Sequence, residues 1–339
     1  MNNEPLVSII IVNWNGLRIL KDCLESLVKI DYKNWELVLV DNGSVDRSEE
    51  LAKRIVKKRN VVLIKNAKNL GFAPANNQGV AKSKGKYILL LNNDTKVTKD
   101  FLTKMIGRME GDKNIGVMQP KIHLMEKPEL LDNAGSFLTR TGFLQHWGFM
   151  QKDGALFDEE KEIFSAKGAC LLTRRTIIDK VGLFDDDFFS YFEESDFCWK
   201  VWLAGFKVIY FPDAHIYHML GATSKKMNQV MINYHSFKNR LRSLLEYLEP
   251  KNILAIYSIH ISIYIGLMIY YFCKLQFDKS SMIYRALLWN LINLSTTMKN
   301  RSKIQRLRKI SDQLLFDKVM KPINLIQMFK HFRRVEANF

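Results

Sequence analysis

The chain has 339 residues, 47% of them hydrophobic, and carries a formal net charge of +16. That is enough for about two domains with a sizeable core. Its four cysteines, Cys23, Cys170, Cys198 and Cys273, form no Cys-x-x-Cys pair. Their scatter suggests neither a disulfide framework nor a zinc site, and it fits a reducing, cytoplasmic setting. Met1 to Leu6 is polar and shows no signal-peptide pattern. Beyond Pro250 stand fifteen Lys/Arg against four Asp/Glu, so +11 of the +16 lies in the last quarter of the chain.

In chain order, Leu6–Val12 is rich in β-branched residues and predicts a strand, ended by Asn13-Trp14-Asn15-Gly16. Leu17–Val28 has apolar residues at helical spacing. Trp35–Val40 predicts a second strand, with Asp41-Asn42-Gly43-Ser44 directly after it and a helix over Ser48–Val56. Val61–Ile64 predicts a third strand, and Asn69–Gly79, which contains Asn77, leads into a helix of small residues ending near Gly85. Tyr87–Leu91 reads as a buried strand, followed by Asn92-Asn93-Asp94-Thr95. Those four polar residues fit a turn with a helix N-cap. They fit equally a metal or phosphate site outside the carboxyl end of a strand.

Repeated strand–helix alternation predicts a parallel, doubly wound α/β sheet with right-handed crossovers. Three Asn/Asp-bearing loops would then crowd along one sheet edge. No Gly-x-Gly-x-x-Gly follows the first strand and no Gly-Lys-Ser/Thr occurs, which disfavours a classical dinucleotide site or a P-loop. Ile115–Gln119 predicts a further strand. Residues 120–160 are mixed and aromatic, and are read as an acceptor surface. Lys167-Gly168-Ala169 leads into another apolar strand, and its small residues would let a ligand approach the backbone.

Glu193, Glu194 and Asp196 stand at the start of a helix predicted over Asp196–Gly205. Acids there are favoured by the helix dipole. Their aromatic surroundings also fit a general base of raised pKa. Phe206–Phe211 predicts a strand, followed by His215 and His218, which fit either structural histidines or metal ligands.

The ordered set Val7–Gly16, Val40–Ser44, Asn69–Ala73 with Asn76–Gly79, Leu91–Thr95, Gly168–Arg175 and Tyr191–Cys198 resembles the family 2 glycosyltransferases, within them the rhamnosyltransferase-like branch. The resemblance implies a GT-A fold, Rossmann-like and mostly parallel, with helices on both faces. A nucleotide-binding half (1–110) and an acceptor half (111–240) would share one sheet. It implies an inverting, metal-dependent transfer of one sugar from a nucleoside-diphosphate donor such as dTDP-rhamnose or a UDP-hexose. Asp41 and Asn42, with Asn13, Asn15 and Asn93, would bind the nucleotide, and Asn77 would lie near the diphosphate. Gly168 and Ala169 would meet the donor sugar. Asn92 and Asp94 occupy the ends of an Asp-x-Asp-type metal motif, with Asp94 the principal ligand and Asn92 a neutral helper; His218 matches a metal-ligand histidine. Glu194 falls where the family has a catalytic Asp, with Glu193 the alternative base and Asp196 a supporting or acceptor-binding group. The metal would be Mg²⁺ or Mn²⁺, and the histidine tilts the choice to Mn²⁺. The processive Gln-x-x-Arg-Trp signature is absent, which favours transfer of a single sugar.

Tyr234–Tyr247 predicts a basic, amphipathic helix. Asn252–Cys273 runs 22 residues without a formal charge, about 33 Å as a helix and enough to span a bilayer. Met282–Met298 is a second, shorter apolar stretch. A single span would put the basic tail outside, against the positive-inside tendency. An in-plane or re-entrant hairpin would keep both basic flanks on anionic lipid. Residues 241–339 are therefore expected to associate with the cytoplasmic face of the membrane. Because the basic charge sits beside apolar runs rather than interleaved aromatics, no nucleic-acid partner is expected. The acceptor would be a membrane-proximal or lipid-linked glycan.

Overall fold

Short apolar runs bounded by polar turns become strands in the computed structural model, which describes residues 4–56, 60–221 and 228–322. The first units are β1 (Val7–Asn13), α1 (Leu17–Leu27), β2 (Trp35–Asp41), α2 (Ser48–Ile55), β3 (Val61–Lys65), α3 (Phe72–Lys82) and β4 (Tyr87–Leu91). β2 and β4 are buried at every position, and β1 at all but Val12. Helices on both faces demand such uninterrupted apolar runs. The parallel register sets Asn13 beside Asp41 and Asp41 beside Lys65, so the loops after β1, β2 and β3 open along one edge.

The chain continues through β5 (Thr95–Val97), α4 (Phe101–Gly111), β6 (Ile115–Leu124), β7 (Leu131–Asn133), β8 (Ser136–Thr139), β9 (Leu144–His146), β10 (Lys161–Glu162) and β11 (Cys170–Arg174). Then come α5 (Arg175–Val181), α6 (Glu193–Leu203) and β12 (Lys207–His218). The main sheet runs β10-β12-β6-β11-β4-β1-β2-β3, with β5 on β12 and β7 on β6. It is mostly parallel, as expected. The antiparallel pairings are those of β10 and β5 with β12, of β7 with β6, and of β11, which lies antiparallel between β4 and β6 and joins the two halves. This reversal brings the start of β11 to the same edge as the end of β4, with Cys170 opposite Leu91.

β12 is longer than the predicted Phe206–Phe211. The strand passes through Pro212 and on to His218, with a register shift against β6 between Phe211 and His215. Proline is tolerated in a strand at such an irregularity. One apolar core fills the face under α1 and α4. The other fills the opposite face around Trp199, Phe197 and Phe164.

Beyond the sheet come α7 (Gln229–Tyr247), α8 (Pro250–Asn252), α9 (Ser258–Cys273), α10 (Phe277–Ile292), α11 (Leu294–Leu307), α12 (Asp312–Val319) and β13 (Met320–Lys321). α7 begins five residues before the predicted Tyr234 and carries the chain without a break through residue 240. A π-helical turn joins α8 to α9, making one 24-residue helix, Pro250–Cys273. Among the described residues it alone is long and apolar enough to cross a membrane, by length and composition. The predicted apolar stretch Met282–Met298 is divided between α10 and α11 at Asn293. Met282, Ile283 and Ala286 turn inward. β13 pairs with β8.

Candidate active site

At the strand ends the side chains first hold one another. Asn13 donates to Ser48 Oγ (2.7 Å) and accepts from Asn93 Nδ2 (2.6 Å), tying the ends of β1 and β4 together. Asn15, at φ 49°, accepts from Val45 N, and its own N–H donates to Ser44 Oγ. Asp41 accepts from Ser44 N. Asn42 is engaged at both ends of its amide. It donates to Asn69 Oδ1 and Gly71 O, and accepts from Asn66 Nδ2 and Leu70 N. Its role in this structure is to shape the 66–71 loop. Asn77 donates to Phe184 O and Asp186 Oδ1, and so ties α3 to the 184–186 loop.

The end of β4 meets two other strands. Asn92 N–H donates to Ala169 O (3.0 Å), which puts Gly168 and Ala169 against the Asn92–Asp94 turn. Pairing of β12 with β5 sets His218 opposite Thr95. His218 Nε2 then lies 3.2 Å from Asp94 Oδ1. Asp94 is buried, and that oxygen has no aligned hydrogen-bond donor among the described residues. On the other side of the ring, His218 Nδ1 pairs with Asp132 Oδ2 at 2.9 Å. Lys167 Nζ donates to both oxygens of Asp132, at 2.7 and 2.6 Å.

Burial works against charging His218, but the Asp132 and Asp94 carboxylates outweigh it and hold its pKa above the ordinary value. Asp132 is itself penalised by burial, yet the Lys167 ammonium and His218 keep it well below the usual carboxylate range. An imidazole fixed through Nδ1 by a carboxylate, with Nε2 and a second carboxylate oxygen converging, is the arrangement of a metal ligand and its supporting shell. Among the described residues no three His, Cys, Asp or Glu side chains form a ready cage. Asp94 and His218 would thus suit a cation whose remaining positions ligand oxygens would fill. Asn92, half-buried at the same turn, adds no charge.

The acids of α6 separate by direction. Tyr191 and Phe192 both have positive φ, 69° and 76°, a conformation costly for bulky residues. Asn239 holds their loop by donating to Ser190 O and Tyr191 O. Glu194 lies on the Gly168 side: a Cβ added at Gly168 would sit 4.0 Å from Glu194 Cδ. Burial raises the Glu194 pKa, while the nearby Lys167 charge opposes the rise. Burial and then the Glu194 charge push Glu193 well above the ordinary carboxylate range. Each glutamate has a buried Oε2 without a partner among the described residues. Asp196 points elsewhere. Its Oδ1 accepts from Ser243 Oγ (2.6 Å) and Tyr247 OH (2.7 Å), fastening α6 to α7.

The structure therefore brings Asp94, His218, Asn92, Gly168, Ala169 and Glu194 together. It adds two residues that the sequence left unassigned, Asp132 and Lys167. Asp132-Asn133-Ala134-Gly135 is visible in the sequence as a polar turn, but nothing in it points to His218, 86 positions away.

This mostly parallel sheet, with its strand-end carboxylate and antiparallel β11, defines a GT-A fold. Residues 8–182, just over half of the chain, match the family Glycosyl transferase family 2, and the chain belongs to that family. It is 31% identical over 228 residues to an uncharacterised protein of Sinorhizobium fredii, covering 64% of this chain and 25% of that one. It is 22% identical over 217 residues to poly-beta-1,6-N-acetyl-D-glucosamine synthase of Staphylococcus aureus, covering 64% and 50%. The chain thus spans a quarter to a half of the length of these curated relatives. Among solved structures, GalNAc-T7 with UDP, GalNAc and Mn²⁺ superposes with a TM-score of 0.61 at 18% identity, covering 76% of this chain and 50% of that one. Mannosyltransferase PcManGT of Pyrobaculum calidifontis, with GDP-Man and Mn²⁺, gives 0.54 at 13%, covering 90% and 84%.

Proposed function

We propose that this chain is an inverting, metal-dependent glycosyltransferase that moves one sugar from a nucleoside-diphosphate donor, dTDP-rhamnose or a UDP-hexose, to a membrane-proximal or lipid-linked glycan. The observation that carries the reading is the convergence of Asp94 and His218 beside the Gly168–Ala169 backbone and Glu194. Asp41, Asn13, Asn15 and Asn93 form the nucleotide edge. Asn42 and Asn77 shape the loops around it. Asp94 and His218 would hold Mg²⁺ or Mn²⁺, with Asn92 as a neutral neighbour. Held there, the cation would offset the charge that develops on the diphosphate leaving group. Mn²⁺ in the GalNAc-T7 and PcManGT structures supports a divalent ion.

Glu194 takes the proton from the acceptor hydroxyl. Burial raises its pKa and so strengthens it as a base, while the Lys167 charge opposes the rise and favours the ionised form. Glu193 lies deeper, where burial and the Glu194 charge raise its own pKa and favour its neutral form. Gly168 and Ala169 leave room for the donor sugar against the backbone.

The Pro250–Cys273 helix supports membrane association. One face, Ile256, His260 and Tyr264, is buried, while Leu254, Ile265, Ile269 and Phe272 are exposed. A helix docked on the protein along its length suits an in-plane seat on the cytoplasmic leaflet better than a span. Nucleotide sugars are cytosolic, which favours that leaflet. The testing experiment is thermal denaturation with UDP, dTDP or GDP, with and without Mn²⁺. At least one nucleotide should raise the melting temperature only with the metal, and Asp94→Asn should abolish the shift. No shift with any nucleotide–metal pair would overturn the reading.

A further inference from the structure

Residues 185–192 lead into α6, and α7 grips them along one face. Arg242, buried, pairs with Asp185 and Asp187. Lys238 Nζ donates to Asp187 O (2.7 Å). The His235 ring stacks on Phe189, with centres 5.1 Å apart. Asn239, fully buried, donates from Nδ2 to Ser190 O (3.1 Å) and Tyr191 O (2.7 Å). Positions 235, 238, 239 and 242 stand at i, i+3, i+4 and i+7, one stripe of a helix. α7 is held in turn by α10. Asn290 Nδ2 donates to Lys238 O (3.1 Å), and the Trp289 ring centre lies 4.5 Å from Lys238 Nζ.

Asn239 meets the strained end of that loop. Tyr191 and Phe192 have φ of 69° and 76°, which bulky residues adopt only when their surroundings impose it. These two left-handed residues turn the chain into the first turn of α6, where Glu194 sits. Two carbonyls can be faced only by the nitrogen of the Asn239 amide, because its oxygen is an acceptor like them. That oxygen has no partner among the described residues, so the side chain is given over to the loop. From Asp196 onward α6 is fastened independently. Asp196 accepts from Ser243 and Tyr247, and Lys200 Nζ donates to Leu183 O (2.7 Å). Loss of the amide would therefore release the start of α6 and leave the rest of the helix seated. We propose that Asn239 is a positioning residue for glycosyl transfer, holding the Tyr191–Phe192 turn so that Glu194 stands beside Gly168. The proposal rests on the transferase reading above and adds a residue that acts on the base through the backbone.

The test measures nucleotide release by the full chain from UDP-glucose, UDP-galactose and dTDP-rhamnose with Mn²⁺, water serving as acceptor. Asn239→Leu keeps the size of the side chain and removes its donor. It should lower kcat by about a hundredfold, the scale of a small misplacement of reacting groups, and leave the donor KM unchanged. In a Glu194→Gln background the same substitution should change kcat by less than about twofold, because the base it positions is already gone. Asn239→Ser keeps one hydroxyl donor and should lose about tenfold; in the same two backgrounds it carries the test if Asn239→Leu does not fold. Equal falls in both backgrounds would make Asn239 part of the frame alone and overturn the proposal. So would full turnover in a folded variant, or a loss that lies in KM.

Hydrogen exchange gives a readout besides turnover. The Asp196 N–H donates to Phe192 O (2.9 Å), the first hydrogen bond of α6. Its exchange should quicken about tenfold in Asn239→Leu, with Cys198–Leu203 unchanged. Unchanged exchange at Asp196 overturns the proposal even where none of the three donors is consumed. UDP and dTDP binding with Mn²⁺ is followed in the same samples and should match the wild type. A wild-type chain that binds neither nucleotide removes the transferase reading and this proposal with it. Nucleotide binding intact, with equal falls in both backgrounds, removes this proposal alone.

Discussion

Glu193 is buried and the adjacent Glu194 half-buried, and they meet different partners, a difference that decides their proposed roles. Glu194 has Lys167 and the Gly168 backbone before it, whereas Glu193 has only acids, Glu194 and Asp196, among the charges that shift it. Glu194→Gln should lower turnover by about 10²–10⁴, the usual share of a general base, and leave nucleotide binding intact. Steady-state kinetics and calorimetry check the two halves. The base works ionised and its pKa is raised, so kcat should climb with pH through that raised value and level off above it. Lys167 favours the ionised form, so Lys167→Met should move the rising limb to higher pH. A profile unchanged by that substitution would remove Lys167 from this role. At Asp94 and His218, proposed to hold the metal, Asp132→Asn should weaken Mn²⁺ binding by about 10–100-fold, the usual cost of losing a supporting carboxylate. Asn92→Asp should tighten it by adding charge at the turn; calorimetric titration with Mn²⁺ and the nucleotide reads both.

At the level of elements, Asp196 shows how a carboxylate near an active site serves the frame. It accepts from Ser243 and Tyr247 across the α6–α7 contact, all three being buried. Asp196→Ala should cost about 3 kcal/mol, because it strands two buried hydroxyls. A melting temperature unchanged by the substitution would return Asp196 to the acceptor. Gly71 makes a similar point at the entry to α3. It has φ +96°, and an added Cβ would lie 2.3 Å from Phe189 O, the carbonyl that receives the Phe72 N–H. Gly71→Ala should therefore destabilise through both strain and collision.

The βα units up to β4 were legible because continuous apolar runs and polar turns are local signals. The reversed β11 was not, since Cys170–Arg174 looks the same read toward either neighbour. Nor was β12 beyond Phe211, where Pro212 signals an ending and only pairing with β6 and β5 shows the strand continuing. Asp94 could be singled out as a candidate by its place just past the end of β4, and His218 by the family resemblance. Asp132 and Lys167 could not, because their value lies in a contact that no sequence spacing encodes.

On the scale of the molecule, the excess charge and the exposed apolar helix belong to the same end of the chain. Leu254 is 77% exposed, Ile269 55% and Phe272 59%. The double variant Ile269→Glu/Phe272→Glu should sharply reduce sedimentation with anionic vesicles. It should leave the melting temperature nearly unchanged, since surface substitutions shift stability by only about 0.5 kcal/mol. Undiminished sedimentation would dissociate this helix from membrane binding. The reversed β11 has a further consequence, for biosynthesis. β4 is flanked by β1 and β11, so one of its edges stays bare until the chain has been made through Arg174. At the usual rate of synthesis that interval lasts on the order of several seconds. Throughout it, Tyr-Ile-Leu-Leu-Leu presents an open apolar edge, the kind that recruits chaperones or neighbouring nascent chains. The β1–β4 half is thus complete in sequence long before it is complete as a sheet, and a ribosome stalled within residues 112–169 would display a half-made and adhesive domain.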